Sequence, residues 1–168
     1  MKCFLLSLIL LLIYCPSYLF SQDLSDYPVQ VKYIEDTIYE TDGNTFTTLY
    51  GSEWRHMYAG YLLTMSDILV VLTDNDGNGF AYVDNSQFAV KHVGSYLTYK
   101  NGTLNVVLES MGNGAVLKMA DGSLWEINSY DQYDTGYWLP PYQVILTSDE
   151  MYMINIKENK KIWISKIR

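Results

Sequence analysis

Six aromatic rings fall within 18 residues, at Trp125, Tyr130, Tyr133, Tyr137, Trp138 and Tyr142, with Asp131 and Asp134 set among them. Flat rings stack against the apolar faces of sugars, and neighbouring carboxylates accept hydrogen bonds from sugar hydroxyls. Tyr130, Asp131, Tyr133, Asp134, Tyr137 and Trp138 are therefore the candidate ligand-binding residues, for a glycan or a protein surface. The plainer account is that these rings close a small core, with their OH and NH groups bonded locally. That account is preferred for the cluster as a whole.

A second constellation is Asp74-Asn-Asp-Gly-Asn-Gly79. Asp74, Asp76 and Asn78 stand at positions one, three and five of a calcium loop, and Gly79 occupies the bend at position six. Position twelve, where a bidentate Glu belongs, is Asn85, and Asp84 comes one place early. A polar hairpin turn uses the same residues, so a plain turn is preferred and a weak calcium site is the alternative. No other cofactor is implied.

Enzymatic signatures are thin. The only histidines are His56 and His92, and no Gly-x-Ser-x-Gly elbow or His-Glu-x-x-His helix occurs. No catalytic residue can be named. Nineteen acidic residues leave open a hydrolase acting on polysaccharide through paired carboxylates, which would need two of them at a fixed separation.

The elements that must position these residues read as strands. Short β-rich runs at 67–73, 80–84, 87–93, 115–119, 123–127, 143–147, 151–156 and 162–167 are separated by turn residues. Asn101-Gly102, between runs at 96–100 and 103–108, predicts a type I′ hairpin, and a glycosylation acceptor at Asn101-Gly-Thr103 is subordinate to that turn. Residues 54–64 are assigned to a strand against a competing helical spacing. In Ser123-Leu-Trp-Glu-Ile127, alternation puts Trp125 with Ser123 and Ile127 on a core face and Glu126 toward solvent. Gly122 is expected at positive φ in the preceding turn. The pattern predicts an all-β chain with a small antiparallel barrel in its C-terminal half, elaborated by additional N-terminal strands. Residues 22–51 are expected as an arm with edge strands, and residues 52–168 as one β domain whose barrel lies mainly in 96–168. No repeat of fixed period is visible.

Residues 1–21 have the form of a secretory signal peptide: Lys2, an apolar stretch over 4–14, Pro16, and Ser21 for cleavage. Both cysteines, Cys3 and Cys15, lie inside it, and bulky Tyr14 before Cys15 argues against lipidation. The mature chain is then expected to be cysteine-free, with no membrane span. The formal net charge is −8 over the whole chain. Eleven acids stand against Lys32 and Arg55 in residues 22–90, while the remainder is balanced. Such a charge disfavours phosphate backbones, so nucleic acid is not an expected partner.

The run GAVLKMADGSLWEINSYD, with Trp138 seven residues on, resembles a motif of small uncharacterised bacterial exported proteins. The resemblance spans about residues 113–152. It implies an SH3-like small barrel and export, and it carries no activity or catalytic residue. Together these features suggest an exported, non-enzymatic binding or structural module of a bacterial cell envelope. Its place would be periplasmic or extracellular, or at an outer membrane, with protein or glycan as partner.

Overall fold

The computed structural model describes residues 24–58 and 60–167. The expected signal peptide, with Cys3 and Cys15, lies outside the described residues. Among the described residues no helix is long and apolar enough to cross a membrane.

The described residues are almost entirely β. A 3₁₀ turn at Leu24–Asp26 leads into twelve strands: β1 (Val29–Asp42), β2 (Thr45–Thr48), β3 (Glu53–His56), β4 (Asp67–Leu72), β5 (Asn78–Val83), β6 (Ser86–His92), β7 (Lys100–Met111), β8 (Val116–Met119), β9 (Leu124–Ile127), β10 (Tyr142–Thr147), β11 (Tyr152–Asn155) and β12 (Lys160–Lys166). One short helix, α1 (Gln132–Thr135), interrupts them. Strands β7-β8-β9-β12-β11-β10 close on themselves, because β10 returns to pair with β7. This ring is the C-terminal barrel anticipated from the turn spacing.

The N-terminal strands do more than elaborate it. They close a ring of their own, β1-β2-β3-β6-β5-β4, through the β1–β4 pairing; in chain order this is the first barrel and the C-terminal ring is the second. The second barrel copies the first strand for strand and in register. Phe46 faces Trp54 as Leu117 faces Trp125. Asp36 faces Ile68 as Asn105 faces Val144, and Ala81 faces Phe88 as Met153 faces Ile162. Even the irregularities match: a register shift falls between Ile38 and Glu40 in β1 and between Val107 and Glu109 in β7. The equivalent strands β1 and β7 pair with each other antiparallel, as a local two-fold axis requires. Residues 29–42, anticipated as part of an arm with edge strands, are thus one 14-residue strand shared by the β2, β4 and β7 ladders.

Local sequence accounts for the elements. β3 and β9 alternate strictly, with Trp54, His56, Trp125 and Ile127 inside and Glu53, Arg55 and Glu126 exposed. β4, Asp-Ile-Leu-Val-Val-Leu, is apolar without alternation because both its faces are covered. Ile68, Val70 and Leu72 fill the first barrel. Leu69 and Val71 turn outward into a cluster with Tyr33, Tyr82, Leu104, Ile145 and Ile154 that joins the two barrels. Strands covered on both faces lose the polar alternation of a half-solvated sheet.

Two local predictions fail for identifiable reasons. Asn101-Gly102 is no hairpin turn; it lies inside β7, where Gly102 pairs with Val31 on one side and Thr147 on the other. A Cβ at Gly102 would stand 2.6 Å from Ile145 Cγ2 and 2.9 Å from the Tyr33 ring, so glycine there permits close approach of packed layers. The strand predicted at 54–64 ends at His56. His56 Nδ1 accepts the Tyr58 N–H at 3.2 Å, and the Tyr58 ring turns back to stack on Phe88 at 4.7 Å, so the chain leaves the sheet to cover the barrel.

Candidate functional site

The aromatic segment is the connection from β9 to β10. Polar side chains fasten it to the second barrel. Asp131 Oδ2 accepts the Trp163 N–H at 2.9 Å, on β12. Asp134 pairs with Lys160 at 3.0 Å. The fully buried Thr135 donates its hydroxyl to the Gly114 carbonyl at 2.8 Å, and Gln132 donates to the Ile127 carbonyl at 3.0 Å. The two carboxylates anticipated as ligand contacts therefore hold the loop in place.

The rings divide into two groups. Trp125 is 1 % exposed, and its indole N–H donates to Ser123 Oγ at 2.9 Å. Trp138, anticipated as a ligand contact, is 9 % exposed and packs edge-to-face on Tyr142 with 5.6 Å between ring centroids. Its burial follows from an apolar barrel end that a loop must cover. Tyr130, Tyr133 and Tyr137 are 92, 74 and 70 % exposed, with Tyr133 and Tyr137 in edge-to-face contact at 5.1 Å. Leu139 is exposed beside them.

The far side of this loop borders a cleft between the barrels, of about 460 Å³. Tyr82, Gln87, Trp138, Leu139, Tyr142 and Ile156 line it, and Lys157 and Glu158 stand among its charged residues. The cleft is assembled from the β5–β6 turn of the first barrel and two connections of the second. Sequence inspection picked out Tyr137 and Trp138 here but not Tyr82, Gln87 or Ile156. No local signal marks them, because the three segments meet only through the packing of the two barrels. Tyr82 and Tyr142 are 6 and 7 % exposed, and among the described residues neither buried hydroxyl has a hydrogen-bond partner. Burial pushes both phenols well above their ordinary titration range, with Tyr27 adding to the effect at Tyr82, so both stay protonated.

The Asp74 segment forms the β4–β5 turn. Asp74 Oδ1 accepts the N–H groups of Asp76 (2.9 Å) and Asn78 (3.0 Å), and Oδ2 accepts from Asn78 Nδ2 at 2.6 Å. These bonds, led by the Asn78 side chain, hold the Asp74 carboxyl below its usual range. Of the three residues named for calcium, Asp74 and Asn78 thus bond to each other and to the turn. His56 is buried between Phe46 and Phe88, and burial lowers its pKa. His92 Nε2 lies 2.9 Å from the Tyr96 carbonyl. Among the described residues no group of three His, Asp or Glu side chains is arranged to hold a metal.

The chain matches no family model, no curated protein and no solved structure.

Proposed function

We propose that this protein is an exported, non-enzymatic binding module of a bacterial cell envelope that holds glycan through the β9–β10 loop. The observation that carries the reading is the exposure of Tyr130, Tyr133 and Tyr137 on a loop fastened by Asp131, Asp134 and Thr135. Solvent-facing rings contribute nothing to the core, and a fastened loop loses little entropy when a ligand settles on it. The tyrosines offer both a stacking face and a hydroxyl, which suits a sugar polymer.

The hydrolase alternative draws less support. Glycoside hydrolysis by carboxylates needs a facing pair, and among the described residues the inter-barrel cleft is lined by one carboxylate, Glu158. A general acid also needs a raised pKa. Asp74 and Asp149, whose titration the fold moves, are both lowered, Asp149 chiefly by the Thr147 hydroxyl and then the Met151 N–H.

Retention of the protein on purified envelope polysaccharide tests the reading. The Tyr133→Ala/Tyr137→Ala variant should lose retention while keeping the parent's melting temperature. Capture that survives removal of glycan but not proteolysis of the envelope would identify a protein partner instead. Release of reducing ends from the polysaccharide would establish the hydrolase.

A further inference from the structure

We propose that the β3–β4 connection carries a second glycan platform, formed by Tyr61 and Leu63, so that one sugar polymer is held by both barrels at once. The inference rests on the glycan reading above and adds to it a second site and bivalent attachment.

Three observations carry it. The first is a local echo between the barrels. The β1–β4 pair Thr37–Asp67 is equivalent to the β7–β10 pair Val106–Gln143. Ending four residues before Asp67 and Gln143, Gly60-Tyr-Leu-Leu63 answers Gly136-Tyr-Trp-Leu139. The match is too short to stand out as a repeat along the chain. The second observation is how these residues are disposed. The third residue of each run packs inward, Leu62 against the core of the first barrel and Trp138 within the core of the second. Its neighbours face solvent: Tyr61 and Leu63 are 98 and 64 % exposed, and Tyr137 and Leu139 are 70 and 84 % exposed. Closing a barrel end needs only the inward residue. Core residues differ between the barrels, Phe46 for Leu117 and Ala81 for Met153, while the exposed Tyr and Leu are the same. Packing does not require that identity, and a shared ligand accounts for it.

The third is fastening. The Tyr58 hydroxyl lies 3.2 Å from Ser86 Oγ, and Ser66 Oγ donates to Asp84 Oδ2 at 3.4 Å, so the β3–β4 connection is tied to the β5–β6 turn and the start of β6. Asn85, Ser86 and Gln87 of that segment also line the inter-barrel cleft, together with Tyr137 and Leu139. Both loops therefore flank one turn, and a single polymer can engage the two. Each tyrosine supplies a stacking face and a hydroxyl, and the leucine near it adds apolar contact for a sugar face. The described residues of the first loop expose one tyrosine, where the second loop exposes Tyr130, Tyr133 and Tyr137. Joined in one body, two weak platforms hold a polymer far more tightly than either does alone, because the second contact forms at high effective concentration.

The test uses the full chain, immobilised envelope polysaccharide, and fragments of two or three rings cut from it, which engage one platform at a time. Tyr61→Ala should weaken retention on the polymer by about a hundredfold or more. Its melting temperature should match the parent's, and so should its fragment affinity read by NMR at the Tyr137 resonances. Tyr96→Ala, exposed beyond the other end of β6, should be retained as the parent is. Parental retention of Tyr61→Ala overturns the proposal; if Tyr133→Ala/Tyr137→Ala still loses retention, the β9–β10 reading stands and only the second platform falls. A loss of fragment affinity at Tyr137 in Tyr61→Ala as large as the loss on the polymer would mean one shared site, and also overturns it. Retention lost in Tyr61→Ala but kept in Tyr133→Ala/Tyr137→Ala would sink the β9–β10 reading, and bivalent attachment with it. No retention of the parent sinks both.

Discussion

Ser-x-Trp occurs twice at equivalent places, and both copies are wired alike. The Trp54 indole N–H donates to Ser52 Oγ at 2.8 Å, and Trp125 to Ser123 Oγ at 2.9 Å. Each indole is at most 1 % exposed, one in each barrel core. Truncating a buried Trp to Ala costs ~3–5 kcal/mol against a total stability of ~5–15 kcal/mol. Trp54→Ala and Trp125→Ala should therefore destabilise the protein by similar amounts in urea titrations. Ser52→Ala and Ser123→Ala, which orphan an indole N–H, should cost less, about 1–3 kcal/mol. His56 gives a pH-dependent term. Its folded pKa is lowered by burial, so the unfolded chain binds the proton more readily. The stability it contributes is complete above the unfolded value of about 6.5 and declines as pH falls below it. The parent should lose melting temperature between pH 7 and 5, and His56→Phe should flatten that part of the curve; an unchanged slope would remove His56 as its origin.

Among the elements, turns and strands respond to glycine differently. Gly51 and Gly122 occupy equivalent turns with φ of +85° and +83°, and each N–H donates to a carbonyl three residues back, Thr48 and Met119. A Cβ at Gly122 meets no atom within 4 Å, so the main penalty of Gly122→Val is backbone strain, of order 1–2 kcal/mol. Gly102→Val is a packing fault, because its Cβ would collide with Ile145, the Leu146 carbonyl and Tyr33 where the barrels join. Denaturant midpoints should fall further for Gly102→Val than for Gly122→Val. The β4–β5 turn is held by the Asp74 carboxylate, which accepts the Asp76 and Asn78 N–H groups and the Asn78 amide. Millimolar calcium should leave the melting temperature unchanged; a rise abolished by Asp76→Ala would show the turn to be a calcium site.

At the scale of the molecule, two closed barrels share one sheet and one buried cluster. β4 and β10 are each inner wall of a barrel and part of the seam, through Leu69 and Val71 on one side and Ile145 on the other. Neither barrel can open without exposing the other's outer face. Calorimetry should therefore show one unfolding transition. Leu69→Ala, at the seam, should lower the stability of the whole by ~2–5 kcal/mol without splitting that transition. Two resolved transitions would mean that the seam couples the barrels weakly.

What was legible in the chain was whatever depends on near neighbours. Alternation in Leu124-Trp-Glu-Ile127 placed Trp125 inside, the Asp121-Gly122 turn required positive φ, and turn residues at short spacing announced an all-β fold with a C-terminal barrel. The duplication was hidden because connections differ in length. Equivalent residues stand 69 apart at Ile38 and Val107, 71 apart at Trp54 and Trp125, and 76 apart at Leu69 and Ile145, so no single period survives. A barrel also accepts any apolar residue of suitable volume, so Phe46 answers Leu117 and Ala81 answers Met153 without leaving a recognisable repeat. Asn101-Gly102 misled because a turn propensity worth little was outweighed by the close packing of Tyr33 and Ile145 over Gly102. Which rings became core and which stayed in solvent depended on the barrel end that Trp138 covers. The cleft arises only where turns distant in sequence are brought together by the seam, and pairing across such distances is a property of the packed layers rather than of any local run.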